Sequence, residues 1–128
     1  MSYWLTPPDL FAALNREFVF DFDPCPFPRP PHYNGLAIPW GRSNYVNPPF
    51  NKKDAPFGGP SCFVRKAIEE QKRGNTSVLI LPLPWNLGLL MAAEAELRYA
   101  GIVRWLDEKG NPCPRRAPQV LAILRGEA

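Results

Sequence analysis

The tetrapeptide Asn47-Pro48-Pro49-Phe50 brings together groups that suit one kind of reaction. The Asn47 side-chain oxygen and the Pro48 carbonyl are both hydrogen-bond acceptors, and both can point to one spot. An exocyclic amine with two N–H donors fits that pair, and the Phe50 ring can stack on the flat heteroaromatic ring that carries it. Accepting both N–H bonds favours a tetrahedral amine nitrogen and exposes its lone pair for attack. The prolines then have a use, because they hold the acceptors in place before the reaction begins. The same residues also read as an ordinary turn, since prolines end a sheet ladder and stiffen a bend.

A second candidate is Asp23-Pro24-Cys25. A carboxylate at the tip of a strand can accept hydrogen bonds from hydroxyls or an amino group of a bound cofactor, and the following proline holds the loop open. A turn aspartate before proline is the plain alternative. Cations gather at Lys52-Lys53, Arg65-Lys66, Lys72-Arg73 and Arg115-Arg116. Lys52-Lys53 adjoin the candidate base pocket and suit the phosphate flanking a bound nucleotide, with Arg115-Arg116 as second phosphate contacts. Solvated surface charge is the alternative for each pair. His32, alone in a proline-rich loop, reads as a surface or packing residue. Trp40, Pro82 and Trp85 each read either as pocket walls or as packing.

These residues need a frame that brings them to one place. Thr6-Pro7-Pro8-Asp9 has the spacing of a helix start, with Thr6 as cap, and Leu10, Phe11, Leu14 and Phe18 form a helical apolar stripe. "FVFDF", Phe18 to Phe22, alternates like a strand ending at Asp23, and a short strand around Asn44–Val46 leads into Asn47. Ser61–Arg73 reads as a helix stopped by Gly74. "SVLILPL", Ser77–Leu83, reads as a strand buried on both faces. Asn86–Tyr99 reads as a second amphipathic helix, with Leu87, Leu90, Met91 and Leu97 in the core. "IVRWL" and "QVLAIL" are the last strand candidates. The alternation predicts an α/β sheet of mainly parallel strands. Ligands of open α/β sheets bind beyond the carboxyl ends of the strands, so Asp23, Asn47 and Pro82 are expected to share one rim.

Composition narrows the class. At 128 residues, with 45% hydrophobic and 21% charged content, the chain is expected to form a single soluble domain. No apolar run approaches the ~20 residues that cross a membrane, and no signal peptide opens the chain, so a cytoplasmic location is expected. Three cysteines without a CxxC pair and a single histidine argue against a disulfide framework or a zinc site. The net charge of +3 permits nucleic acid as a partner without establishing it. Seventeen prolines cluster at 24–31, 48–49, 56–60 and 112–118, which marks these stretches as loops between ordered elements. Gly58-Gly59 read as the hinge of a flap.

"WLTPPDLFAALN", "FDFDPC", "NYVNPPF" and "KAIEEQKRGNTSVLILP" appear in the order found in phage-type Dam-like DNA N6-adenine methyltransferases. The chain resembles that family from about Trp4 to about Leu124. The resemblance implies a compact class I methyltransferase-like, Rossmann-like fold with a mainly parallel sheet flanked by helices. It implies S-adenosylmethionine as cofactor, with Thr6 and Pro7 at its methionine end and Asp23, Pro24 and Cys25 lining its pocket. Asn47, Pro48, Pro49 and Phe50 would hold the target adenine of DNA against the methyl group. The amine would attack the sulfonium methyl directly, with no metal and no covalent enzyme intermediate, and a base in duplex DNA would flip out of the stack. The resemblance also implies a phage or prophage gene acting in a bacterial cell.

The chain departs from the family twice. "PCPFPRPPHYNGL" holds one glycine where most methyltransferases carry a glycine-rich loop, and Asn34-Gly35-Leu36 stands where the family tends to show Asp-Gly-Leu. With no room for a separate target-recognition domain, sequence specificity would come from loops such as Asn51–Pro60 or from a second subunit in a homodimer. Two alternatives stay open at this point. One is methylation of an RNA base or a glutamine amide. The other is a degenerate methyltransferase fold that binds nucleic acid or protein without catalysis.

Overall fold

The computed structural model describes residues 5–49, 55–82, 86–113 and 117–126. Within them the elements run α1 (Pro8–Phe18), β1 (Ser43–Val46), α2 (Pro60–Lys72), β2 (Thr76–Pro82), α3 (Leu87–Ala92), β3 (Glu96–Ile102) and β4 (Pro118–Leu124). They form an α/β domain around one four-stranded sheet of order β1-β2-β4-β3.

The sheet corrects the expected strand directions. β1 and β2 pair in parallel, whereas β4 lies antiparallel between β2 and β3. Only one strand pair is therefore parallel and the sheet is mixed, although β1, β2 and β3 share one direction. The apolar run of β2 reflects burial on both faces, which either kind of partner permits. Val78 and Ile80 point into one cluster with Leu14 of α1, Tyr45, Leu121 and Ile123. Leu79 and Leu81 point into the other with Phe63, Val64 and Ala67 of α2 and Leu90 of α3. A period of two thus divides one strand between two cores.

The helix starts follow proline chemistry. Both α1 and α2 carry proline in the first helical turn, where the missing N–H would have had no partner. Thr6 does not cap α1: Pro7 is the N-cap, and the Thr6 hydroxyl bonds the Tyr45 hydroxyl instead. At the other end α1 absorbs the residue expected to open a strand, Phe18. Asn15 accepts the Val19 N–H with its carbonyl and the Phe20 N–H with its side chain, both at 2.9 Å, and so closes the helix. Of the expected Phe18–Phe22 strand only Phe22 pairs, through a single parallel bridge to Asn44.

α2 ends as the sequence predicts, with Gly74 at φ +92°. Its Glu70 is buried, and burial alone would raise its carboxyl. Hydrogen bonds from Asn75 at 2.8 Å and Lys66 at 3.2 Å, with the nearby charge of Arg73, outweigh that and hold it below the usual carboxylate range.

The expected helix over Asn86–Tyr99 is corrected to six residues and a strand. α3 stops at Ala92, Glu94 takes a left-handed φ of +56°, and Ala95 N–H bonds Leu90 O at 3.0 Å. Residues 96–102 then pair with β4. Leu90 is core, but Met91 is 65% exposed and Leu97 39%, so the expected stripe does not continue. Arg98 of β3 ties the sheet edge to α1 through Glu17, with two bonds of 2.7 Å. Among the described residues no helix is long and apolar enough to cross a membrane.

Candidate active site

Asn44 sets the position of the site from below. It is fully buried, accepts the Gly41 N–H at 2.9 Å, and donates to Gly41 O at 2.9 Å and Thr76 O at 3.0 Å. These bonds pin the start of β1 to the start of β2. Asp21 N–H donates to Ser43 O at 2.9 Å, and Tyr45 N–H donates to Phe22 O at 3.1 Å. The segment before Asp23 is thus held alongside β1, so Asp23 and Asn47 emerge at the same end of neighbouring chains. That is the rim where an open α/β sheet places its ligands.

Thr6, Asp23, Cys25 and Asn47 line one cavity there, together with Phe11 and Tyr45. Its open space is about 650 Å³, including the part that merges with solvent. The sequence singled out the first four residues from three separate stretches. It did not single out Tyr45 or Phe11. Tyr45 is buried, and burial pushes its phenol well above the ordinary range, against the opposing hydrogen bond to Thr6. The signal for Tyr45 was its place two residues before Asn47 on the same face of the strand.

Among the described residues Asp23 is the charged group of this cavity. Its residue surface is accessible, yet the protein packed around the carboxyl disfavours the ionised form and raises its pKa from 3.8 to about 6. A hydrogen bond from Cys25 N–H, 2.8 Å from Oδ1, works in the opposite direction. The Cys25 thiol is pushed well above its usual value, first by burial and then by the Asp23 charge. A thiol so protonated is a neutral wall and a poor nucleophile at neutral pH.

A second, much smaller cavity, with a volume of about 30 Å³, also has Cys25 in its wall. Pro24, Cys25 and Pro49 line it, with Arg29, Asn34 and Phe57 from the surrounding loops. Pro7 and Pro48 line neither cavity: Pro7 caps α1, and Pro48 is buried. Phe50, Lys52, Lys53, Trp85, Arg115 and Arg116 lie outside the described residues. Trp40 resolves as an anchor, buried and donating from Nε1 to Gly35 O at 2.7 Å. His32 is exposed. Among the described residues no group of three or more His, Cys, Asp or Glu could hold a metal ion.

Gly35 is part of the wall of the smaller cavity. A Cβ there would lie 2.1 Å from the Pro24 carbonyl oxygen, which is backbone and cannot swing away. Gly35→Ala is expected to destabilise the fold by about 1–3 kcal/mol, the usual range for overpacking. Urea denaturation measures this, and an unchanged midpoint would show that the loop can yield.

No protein-family model, curated protein or solved structure matches the chain.

Proposed function

We propose that this protein is an S-adenosylmethionine-dependent methyltransferase acting on the exocyclic amine of adenine in DNA, on a reduced class I methyltransferase-like fold. The observation that carries the proposal is the convergence of Thr6, Asp23, Cys25 and Asn47 on one cavity at the strand ends. These positions come from three of the four motifs that resemble the phage-type family, and they are up to 41 residues apart in sequence.

Each has a chemical part in that reading. Asp23 receives the hydroxyl or amino donors of the cofactor, and its carboxylate complements the sulfonium charge. The Thr6 hydroxyl adds a polar contact at the methionine end. Asn47 Oδ1 and the Pro48 carbonyl accept the two amine protons, and the rigid Pro48-Pro49 backbone keeps them aimed. The nitrogen lone pair would thereby be left free to receive the methyl group, and the extra proton of the methylated amine would pass to solvent. When bound, the cofactor supplies the electrophilic methyl group. DNA as the partner rests on the adjoining Lys52-Lys53 pair and the +3 charge. The setting is the cytoplasm of a bacterial host, with the gene of phage or prophage origin.

Calorimetric titration with S-adenosylmethionine, followed by incubation with DNA and a labelled methyl donor, tests this. One saturable site per chain and label recovered as N6-methyladenine are expected. Saturable cofactor binding with label recovered only in RNA or protein would replace the substrate. Absence of cofactor binding, with and without DNA, would replace the enzyme by a binding module.

A further inference from the structure

The sheet has two edges, and only one of them is closed. The outer side of β1 is covered by the segment before Asp23, through Asp21 N–H to Ser43 O at 2.9 Å and Tyr45 N–H to Phe22 O at 3.1 Å. β3 forms the other edge, and among the described residues no further strand lies outside it. The outward N–H and C=O groups of such an edge are a template for another strand.

The side chains of β3 sort by face. Leu97 and Tyr99 are paired with Ala122 and Val120, which belong to the core cluster packed by α2 and α3. The register shift between Tyr99 and Gly101 then sets Ile102 opposite Pro118, so Ile102 keeps to that same face instead of crossing to the other. The result is an apolar stripe along the open edge, with Leu97 39%, Tyr99 70% and Ile102 48% exposed. Glu96 and Arg98 stand on the α1 face, bonded to each other at 2.7 Å and both partly exposed.

That pattern is complementary to itself. Antiparallel pairing with a second β3, about a two-fold axis at Leu97, sets Glu96 of each chain opposite Arg98 of the other. On the opposite face Leu97 meets Leu97. Each Tyr99 lies opposite Ala95 and diagonal to the facing Leu97, within reach of its ring. The paired stretch, residues 95–99, stops short of the bulge. An axis moved by one residue, to Glu96 or Arg98, sets like charges face to face, which destabilises a strand pair.

We infer that β3 is the dimerisation edge of this protein and that its partner is a second copy of the chain, which joins the two four-stranded sheets into one. β1, β2 and β3 run in one direction, so in the antiparallel pair the two rims that carry Asp23 and Asn47 lie at opposite ends. Each chain keeps its own cavity, and the dimer presents two. This inference stands apart from methyl transfer.

Sedimentation velocity over a range of concentrations tests the association, and cysteine cross-linking tests the register. The wild type is expected to shift from monomer to dimer as its concentration rises. Tyr99→Lys is expected to raise the dissociation constant at least about tenfold, the effect of losing an aromatic anchor at an interface. Its circular dichroism at monomeric concentration should stay that of the wild type, because the side chain is exposed. Cross-linking uses Cys62→Ser as background, since Cys62 is the most exposed of the three native thiols. Opposed Cα atoms of an antiparallel pair lie ~4.5–5.5 Å apart, within the span of a disulfide. Leu97→Cys is therefore expected to oxidise to a covalent dimer. Tyr99→Cys is not, because its two copies are offset by about 13 Å along the strands.

The dimer is overturned if the wild type stays monomeric at millimolar concentration, if Tyr99→Lys associates like the wild type, or if Tyr99→Cys cross-links as readily as Leu97→Cys. A monomer whose 96–102 amides gain hydrogen-exchange protection only when DNA is added gives the edge to nucleic acid and overturns it as well.

Discussion

Asn47→Ala is expected to lower the methyl-transfer rate by about 10²–10³ or more, the loss typical of removing one preorganised polar contact to a transition state. Affinity for S-adenosylmethionine should stay near that of the wild type, because Asn47 acts on the amine and not on the cofactor. Asn47→Asp, which keeps an acceptor at the same place, is expected to recover part of the rate. Single-turnover kinetics with labelled cofactor separate these effects from binding. The position is suited to the role: Asn47 follows directly on β1, whose other end is locked by buried Asn44, and Pro48 behind it is buried. An Asn47→Ala protein that methylates at the wild-type rate would remove the residue from the mechanism.

The second large effect is a pH dependence of cofactor affinity. In the free protein the Asp23 carboxyl keeps its proton up to about pH 6, because its surroundings disfavour the charge. A ligand that brings donors and positive charge to Asp23 needs the ionised form. Affinity for S-adenosylmethionine should therefore rise as the pH climbs through 6, by about tenfold between pH 5 and 7, and then level off. Asp23→Asn should bind more weakly at neutral pH and show a flat profile over that range. Titrations at pH 5, 6, 7 and 8 for both proteins decide the matter, and parallel profiles would detach Asp23 from the cofactor.

Stability carries the same sign. The folded pKa of Asp23 lies above its value of 3.8 in an unfolded chain, so the folded state holds more protons in between. The contribution of Asp23 to stability is greatest below about pH 4 and declines as the pH rises to about 6.

The elements that were legible in the sequence are those with strong local punctuation. The helix expected over Ser61–Arg73 spans Pro60–Lys72, bounded by Gly59-Pro60 at one end and Gly74 at the other. The apolar runs expected over Ser77–Leu83 and 119–124 are β2 and β4, within one residue at each boundary. The short strand before Asn47 is β1. Such segments announce themselves because a fully buried strand has no polar residue to spare, and because proline and glycine admit few backbone conformations.

Phe18–Phe22 and residues 93–99 were misread because their local signals suit either structure, and of the expected strand "IVRWL" only Ile102 belongs to a strand, β3. Phe18 and Phe20 alternate as in a strand, but Asn15 caps the helix across them and both rings pack into the α1 side of the core. Residues 93–99 are rich in helix formers. Their fate is decided by pairing with β4, whose apolar run gains a second neighbour only if 96–102 is extended. The parallel or antiparallel sense of β4 was equally invisible, since a strand buried on both faces has the same composition in either case.

The sequence by itself determined which residues could do chemistry: acceptors stiffened by proline at Asn47-Pro48, a carboxylate at Asp23 and a hydroxyl at Thr6. Those follow from functional groups and spacing, which are local. Only the tertiary structure decided that Thr6, Asp23, Cys25 and Asn47 meet at one cavity, that Tyr45 joins them, and that a second, smaller cavity shares the Cys25 wall. These facts depend on Phe22 bridging Asn44 and on Gly35 passing beneath the Pro24 carbonyl. Contacts between residues distant along the chain follow from how the whole core packs, and no short stretch of sequence encodes them.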